Sequence, residues 1–273
     1  HHSWVGEYCT SLDMEGASVT LMKLDDELTI WLDHPCDTPA LRVGASAPKA
    51  SHAPRKARSR ATVSETRKTD IAALKTDGAI TPENFRRMMR AAAEAIFTER
   101  DRLSELDGKI GDGDHGLTME IGWKAVLGAL DTAGDEATIS ILCDEIASAF
   151  LESVGASAGP LYASAFQSAG GAVADRLNLD AAATVAWIEG MADGIVTRGG
   201  ACAGDKTMVD AWLPAVEAAK AKLADGGSEV DCLAAAADGA AKGAAATKDM
   251  RSGRGRSKKL GDRSVGHVDP GAE

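Results

Sequence analysis

Apolar residues recur at two different spacings along this chain, and the change of spacing divides it. In residues 1–43, Ser18-Val19-Thr20-Leu21-Met22-Lys23-Leu24 and Leu28-Thr29-Ile30-Trp31-Leu32 are short β-type runs flanking Asp25-Asp26-Glu27, a pattern that predicts a hairpin. Two strands alone are marginal in water, so this piece either packs on something else or ends a domain that begins upstream. Residues 44–69 hold no apolar side chain larger than valine. They carry Lys49, Arg55, Lys56, Arg58, Arg60, Arg67 and Lys68 against Glu65, the composition of a flexible, basic, Ala/Pro-rich linker. Such a run suits acidic partners in principle, but a short linker in an acidic chain reads better as a solvated segment.

From residue 70 the period is helical. Thr81-Pro82-Glu83 starts a first helix, with threonine as N-cap, proline at the first helical position and an acid in the first turn. Phe85, Met88, Met89, Ala92, Ile96 and Leu103 line one face of it, and it ends near Leu106. A second helix carries Met119, Trp123, Val126, Leu127 and Leu130; a third carries Ile139, Leu142, Ile146, Phe150 and Leu151. A fourth spans about 161–177, a fifth 180–197, and a sixth about 206–223 with Pro214 as its expected kink. Ser228-Glu229-Val230-Asp231 opens a seventh that reaches about Lys248, and a Gly- and Arg/Lys-rich tail follows.

Gly-rich polar loops follow the first, third, fifth and seventh of these helices, whereas the even-numbered ones end in plainer turns. In an up-and-down array alternate loops lie at the same end, so all four unusual loops are expected to form one site.

Composition agrees with an all-α body: alanine is abundant, aromatics are few, and small side chains suit close helix packing. A net charge of −11 argues against general nucleic-acid affinity. The cysteines (Cys9, Cys36, Cys143, Cys202, Cys232) show no CxxC pairing and read as reduced, packed thiols of a cytoplasmic protein. No stretch is apolar for long enough to span a bilayer.

The loop after the first helix, DGKIGDGDHG, brings Asp107, Asp112 and Asp114 within eight residues, with glycines between them and His115 after. Carboxylates this close repel unless water or a cation separates them, and an all-oxygen set suits a hard cation such as Mg²⁺. The plainer reading is that Asp114 caps the second helix and Asp112 decorates a turn. An EF-hand fails, because Gly116 stands where that loop needs a side-chain oxygen. Ser153-Val154-Gly155-Ala156-Ser157-Ala158-Gly159-Pro160 would present backbone N–H groups to an anion, or simply connect two helices. No GxxxxGK[ST] pattern occurs, which disfavours a P-loop NTPase. Around Gly199-Gly200, Lys206 beside Asp205 reads as a surface ion pair. Arg251, Arg254, Arg256, Lys258, Lys259 and Arg263 make the tail basic, which fits an Mg²⁺–nucleotide complex lying between it and the carboxylates.

Together LDGKIGDGDHG (106–116), SVGASAGPLYA (153–163), RGGACAGDKTMVDAWLPA (198–215) and GRSKKLGDRSVGHVDPGA (255–272) resemble the nucleotide-binding L domain of the dihydroxyacetone (glycerone) kinase family. Residues 1–43 resemble the end of that family's substrate-binding K domain, and the fused, linked arrangement resembles its single-chain ATP-dependent kinases. The resemblance implies an L domain over 70–273 built as an up-and-down antiparallel barrel of eight helices. It also implies that the chain opens inside the K domain and stops short of the last helix. Asp107, Asp112 and Asp114 match the ligands of two Mg²⁺ ions that bridge the phosphates of ATP or ADP. His115, Gly116, Leu117, Thr118, Ser157 and Ala158 match phosphate-side contacts, Gly199 and Met208 the nucleotide pocket, and Arg256, Asp269 and Pro270 the closing tail. The implied activity is γ-phosphoryl transfer to a small ketose held by the K domain, in a homodimeric full-length protein.

Two departures bear on the phosphate pocket. Gly155-Ala156-Ser157-Ala158-Gly159 stands where the family reads Gly-Gly-Ser-Ser-Gly, and Lys258-Lys259 replace a small residue and an aromatic. The family's substrate-holding histidine lies upstream, so His1, His2 and His34 do not take that role. Two other functions remain open: an ADP-retaining L subunit recharged by a phosphotransferase-system protein, and a non-catalytic nucleotide-binding or regulatory module.

Overall fold

The computed structural model describes residues 23–34, 36–37, 42–43 and 74–273. The chain divides into two units, His1–Thr69 and Asp70–Glu273.

In the first unit the expected hairpin is not formed. Its second run, Leu28 to Leu32, lies in helix α1 (Asp26–Asp33). The acidic trio is a helix start rather than a turn: the Asp25 carboxylate accepts from Leu28 N at 2.8 Å, and Asp26 and Glu27 occupy the first turn, where negative charge is favoured. The first run, from Ser18 to Met22, lies outside the described residues, as does the linker. Two short strands do pair antiparallel, β1 (Cys36–Asp37) with β2 (Arg42–Val43), and Cys36 stands opposite Val43.

The second unit is an all-α antiparallel array. Its helices are α2 (Pro82–Ile110), α3 (His115–Thr132), α4 (Ile139–Ser153), α5 (Ala158–Ala172), α6 (Ala181–Gly199), α7 (Val209–Ala224) and α8 (Glu229–Ala246). Each packs on the next in sequence, the up-and-down arrangement read from the periodicity. After α8 the chain continues in 3-10 turns at Thr247–Asp249 and Arg256–Ser264, the latter bent at Gly261 (φ 57°). None of the described helices is long and apolar enough to cross a membrane.

The core is threaded by one chain of aromatic rings. Phe85 of α2 meets Trp187 of α6 edge-on at 5.6 Å, Trp187 meets Phe166 of α5, and Phe166 stacks on Phe150 of α4. Phe150 in turn meets Trp123 of α3 at 5.7 Å. Each such pair adds roughly 0.5–1.5 kcal/mol beyond its buried area. Arg86, the one buried arginine among the described residues, closes the end of α3 by donating to the carbonyls of Leu130, Ala133 and Gly134.

Elsewhere the helices meet backbone to backbone. A Cβ on Gly194 or Gly190 of α6 would collide with α5 at Ser164–Ala165 or Ala169. One on Gly239 or Gly243 of α8 would collide with α7 at Pro214 or Asp210. The abundance of alanine and glycine therefore sets helix separation, and with it the width of whatever lies at the helix ends.

Caps distinguish the two ends of the array. α2, α4, α6 and α8 start with a side chain accepting a backbone N–H: Thr81 from Asn84, Thr138 from Ile141, Asp180 from Ala183, and Ser228 from Asp231 in a full capping box. Each such cap is worth about 0.5–2 kcal/mol. α3, α5 and α7 start at the other end, after Asp114, Ser157 and Met208, and have no side-chain cap.

Candidate functional site

The loops after α2, α4, α6 and α8 line one cavity of ≈ 860 Å³, so these four loops gather as their parity in the sequence suggests.

Asp107 organises the first loop. It lies in the last turn of α2, which runs four residues further than its apolar face suggested because Ile110 is buried. Its carboxylate accepts from Gly113 N at 2.8 Å and Asp114 N at 3.1 Å, wrapping the loop around itself, with Gly113 in the left-handed region (φ 78°) that this turn needs. Ligand oxygens of Asp107, Asp112 and Asp114 then lie within 4.8 Å of one another. The plainer reading of Asp114 as a helix cap does not hold, since its side chain makes no capping bond to α3. Three convergent carboxylate oxygens, one set fixed by backbone N–H groups and one oxygen-bearing side chain left uncommitted, fit a hard divalent cation. Arg256 of the tail forms an ion pair with Asp112 and so brings a positive charge to the same spot.

His115, the first residue of α3, borders the triad. Burial holds its pKa below the usual imidazole range, against the opposing charges of Asp107 and Asp114, so it is neutral at pH 7.

The second loop places Gly155, Ala156, Ser157 and Ala158 on the cavity. Helix α5 starts at Ala158, two residues before Pro160; Gly159 in its first turn lies against the Val154 carbonyl, where a side chain would clash. The Ser157 hydroxyl does not cap α5; in its first turn Gly159 N donates to the Ala156 carbonyl and Pro160 has no N–H, which leaves the Ala158 N–H and the Ser157 hydroxyl as the donors on that side.

The third wall is apolar: Leu161, Ile195, Met208 and Val209, from α5, α6 and the start of α7. Gly199 ends α6 beside it, and Gly200 turns the chain in the left-handed conformation (φ 61°). Asp210 shapes the following loop, accepting from Gly204 N and Thr207 N. Arg254, Arg256, Lys259, Asp269, Pro270 and Gly271 of the tail complete the lining.

The structure thus brings Asp107, Asp112, Asp114, His115, Thr118, Ser157, Ala158, Gly199, Met208, Arg256, Asp269 and Pro270 to one cavity. Gly116 and Leu117 are not among its lining residues: Gly116 is buried against the Arg100 carbonyl, and Leu117 is 52% exposed. Lys206 is the main surprise. The sequence suggests a surface ion pair with Asp205, but Lys206 is 1% exposed and bonds to carbonyls, while Asp205 receives Arg254. A lysine between aspartate and threonine gives no sequence signal of burial. The described cysteines Cys143, Cys202 and Cys232 are free, and burial pushes the Cys143 thiol up to about 12, which makes it inert.

Comparison with known proteins gives the family. The DAK2 domain matches residues 109–273, more than half of the chain, and the Dak1 domain matches residues 1–40. A D-erythrulose kinase of Mycolicibacterium smegmatis is 36% identical over 271 residues, covering 98% of this chain and 46% of that protein. The ADP-binding subunit DhaL of the PEP-dependent dihydroxyacetone kinase of Escherichia coli is 38% identical over 179 residues, 66% of this chain and 85% of the subunit. The crystal structure of the dihydroxyacetone kinase of C. freundii superposes with a TM-score of 0.55 at 21% identity, covering 91% of this chain and 40% of that one, and shares its fold. The chain spans about half the length of the erythrulose kinases it matches. With its DAK2 match, its relatives and its all-α fold in agreement, the chain belongs to the dihydroxyacetone kinase family, and its helical unit is that family's L domain.

Proposed function

We propose that the cavity binds the Mg²⁺ complex of ATP or ADP, and that the chain is the nucleotide-binding part of a kinase that phosphorylates a small ketose such as dihydroxyacetone or erythrulose. One observation carries this reading: the starts of α3 and α5, neither with a side-chain cap, and a carboxylate triad open onto the same cavity. Bare N–H groups at helix starts attract anions, and carboxylates attract cations; phosphate with bound metal satisfies both.

Asp107, Asp112 and Asp114 would hold Mg²⁺, two ions by the family resemblance, which when bound neutralise phosphate charge during transfer. The chain's own residues do the positioning. The starts of α3 and α5, with Thr118 and Ser157, offer donors to phosphate oxygens, and the wall of Leu161, Ile195, Met208 and Val209 suits a flat base. Arg256, paired with Asp112, is a cation that can pass to a phosphate once the carboxylate has a metal. His115, being neutral, can donate without adding charge.

Between an ATP-dependent kinase and an ADP-retaining subunit, the match of residues 1–40 to the Dak1 domain and the 98% coverage by the erythrulose kinase favour the first. A K domain ending near residue 43, a linker to 69, a cytoplasmic homodimer and substrate held by the K domain belong to the same proposal.

Calorimetric titration of ADP with and without Mg²⁺ tests the site. Binding should require Mg²⁺, and Asp112→Asn should weaken it at least tenfold; undiminished affinity in that variant would refute the triad as metal site. The donor is tested with a chain that includes a complete K domain: ATP-dependent phosphorylation of dihydroxyacetone or erythrulose is expected. Turnover with a sugar phosphotransferase chain but none with ATP would establish the subunit reading instead.

A further inference from the structure

Lys206 lines the cavity and has no part in the proposed chemistry. It is 1% exposed and is the only described non-glycine residue with positive φ (59°), a strained conformation for an L-residue. Burying an ammonium is unfavourable unless its donors are used. Here they are: Nζ donates to the carbonyl of Thr247, at 2.5 Å, and to that of His267. Thr247 ends α8 and is wholly buried; His267 lies in the tail two residues before Asp269. Thr247 Oγ1 in turn accepts from Asp269 N at 2.9 Å, and Gly266 N donates to Lys248 O at 2.7 Å. A single ammonium therefore ties three separate segments together: the α6–α7 loop, the end of α8 and the returning tail.

Those segments carry adjoining parts of the cavity lining. Lys206 precedes Thr207 and Met208, and the tail it grips brings Asp269, Pro270 and Gly271 to the same cavity. Gly271 lies close to the Met208 side chain. Hydrogen bonds from one ammonium to two carbonyls limit this separation to a narrow range of distances, which a hydrophobic contact does less closely.

We propose that Lys206 is a positioning residue of the nucleotide site, a clamp whose ammonium holds the tail Asp269-Pro270-Gly271 in register with Met208. This rests on the nucleotide reading above for its functional half; the clamp itself rests on the hydrogen bonds alone. Asp269 and Asp249 offset the buried charge.

Two substitutions separate side chain from backbone. Lys206→Met removes the donors and keeps the strained φ; Lys206→Gly removes the donors and relieves the strain. Both should retain helical circular dichroism. Amide exchange across residues 250–272 should accelerate at least tenfold in both, while α4, α5 and α6 stay protected. The Kd for MgADP should rise at least tenfold in both. A glycine variant with unchanged tail protection and affinity would overturn the clamp, since only the backbone conformation would then matter. If the methionine variant does not fold, the glycine variant carries the test. The unsubstituted chain gives a third readout: MgADP should protect the amides of 207–209 and 269–272 together, and protection of the loop without the tail would also overturn it. Absence of MgADP binding by the unsubstituted chain would refute the nucleotide reading itself, leaving exchange in the tail to decide the clamp.

Discussion

Replacing Asp269 by asparagine should make the stability of this protein respond differently to pH. Burial raises the Asp269 carboxyl from 3.8 to about 6, and the nearby charge of Asp210 raises it further. The backbone N–H groups of Ala272 and Gly271 and the charge of Lys206 pull the other way without prevailing. Because the folded value lies above the unfolded one, the folded protein binds the extra proton between about pH 4 and 6. The contribution of the group to stability is therefore full below 3.8 and is lost as pH rises through about 6. A shift of this size corresponds to at most about 3 kcal/mol, and partial solvent access reduces it to about 1–2 kcal/mol. Asparagine keeps the shape and an acceptor oxygen but does not ionise. The stability of Asp269→Asn relative to the unsubstituted chain should thus rise by about 1–2 kcal/mol from pH 4 to pH 7.5, whatever its absolute sign. Urea unfolding of both proteins at half-unit pH steps, with the midpoint difference plotted against pH, measures this directly. A flat difference, or one that falls with pH, would refute the assignment of a buried, reluctant carboxyl to this position.

Gly194→Ala should force α5 and α6 apart at Ser164–Ala165, costing about 1–3 kcal/mol by overpacking and lowering Tm by about 2–4 °C for each kcal/mol in a unit of this size; differential scanning calorimetry reads it. Phe150→Ala removes the ring shared by Trp123, Tyr162 and Phe166 and should destabilise by about 3–5 kcal/mol in chemical denaturation, with a change in tryptophan emission because the Trp123 contact is lost.

Helix number, order and the gathering of four loops were legible because an amphipathic period and a loop's position in an alternating array are both properties of the sequence itself. Thr81 and Ser228 were legible as helix starts for the same reason, since a local pattern produces a local bond. Asp25-Asp26-Glu27 misled because β-branched neighbours suggested strand, while a side-chain cap and two first-turn acids decided for helix. Helix ends moved by a few residues wherever burial rather than periodicity set them, as at Ile110. Lys206 was not legible at all. Its partners are backbone carbonyls 41 and 61 residues away, and backbone carbonyls leave no trace in side-chain identity.

The uneven capping of the helices has a consequence for how this protein can be improved or evolved. Four helix starts are finished by their own side chains at one end; at the other, α3 and α5 have no side-chain cap, while the first N–H groups of α7 go to Thr207 and Met208. Stability and affinity therefore compete for the same hydrogen-bond donors. A substitution that capped α3 or α5 from within would gain stability in the empty protein and surrender the donors a ligand needs. A ligand that engages them would in turn complete the fold, so heat tolerance should depend on ligand concentration more than on any surface residue.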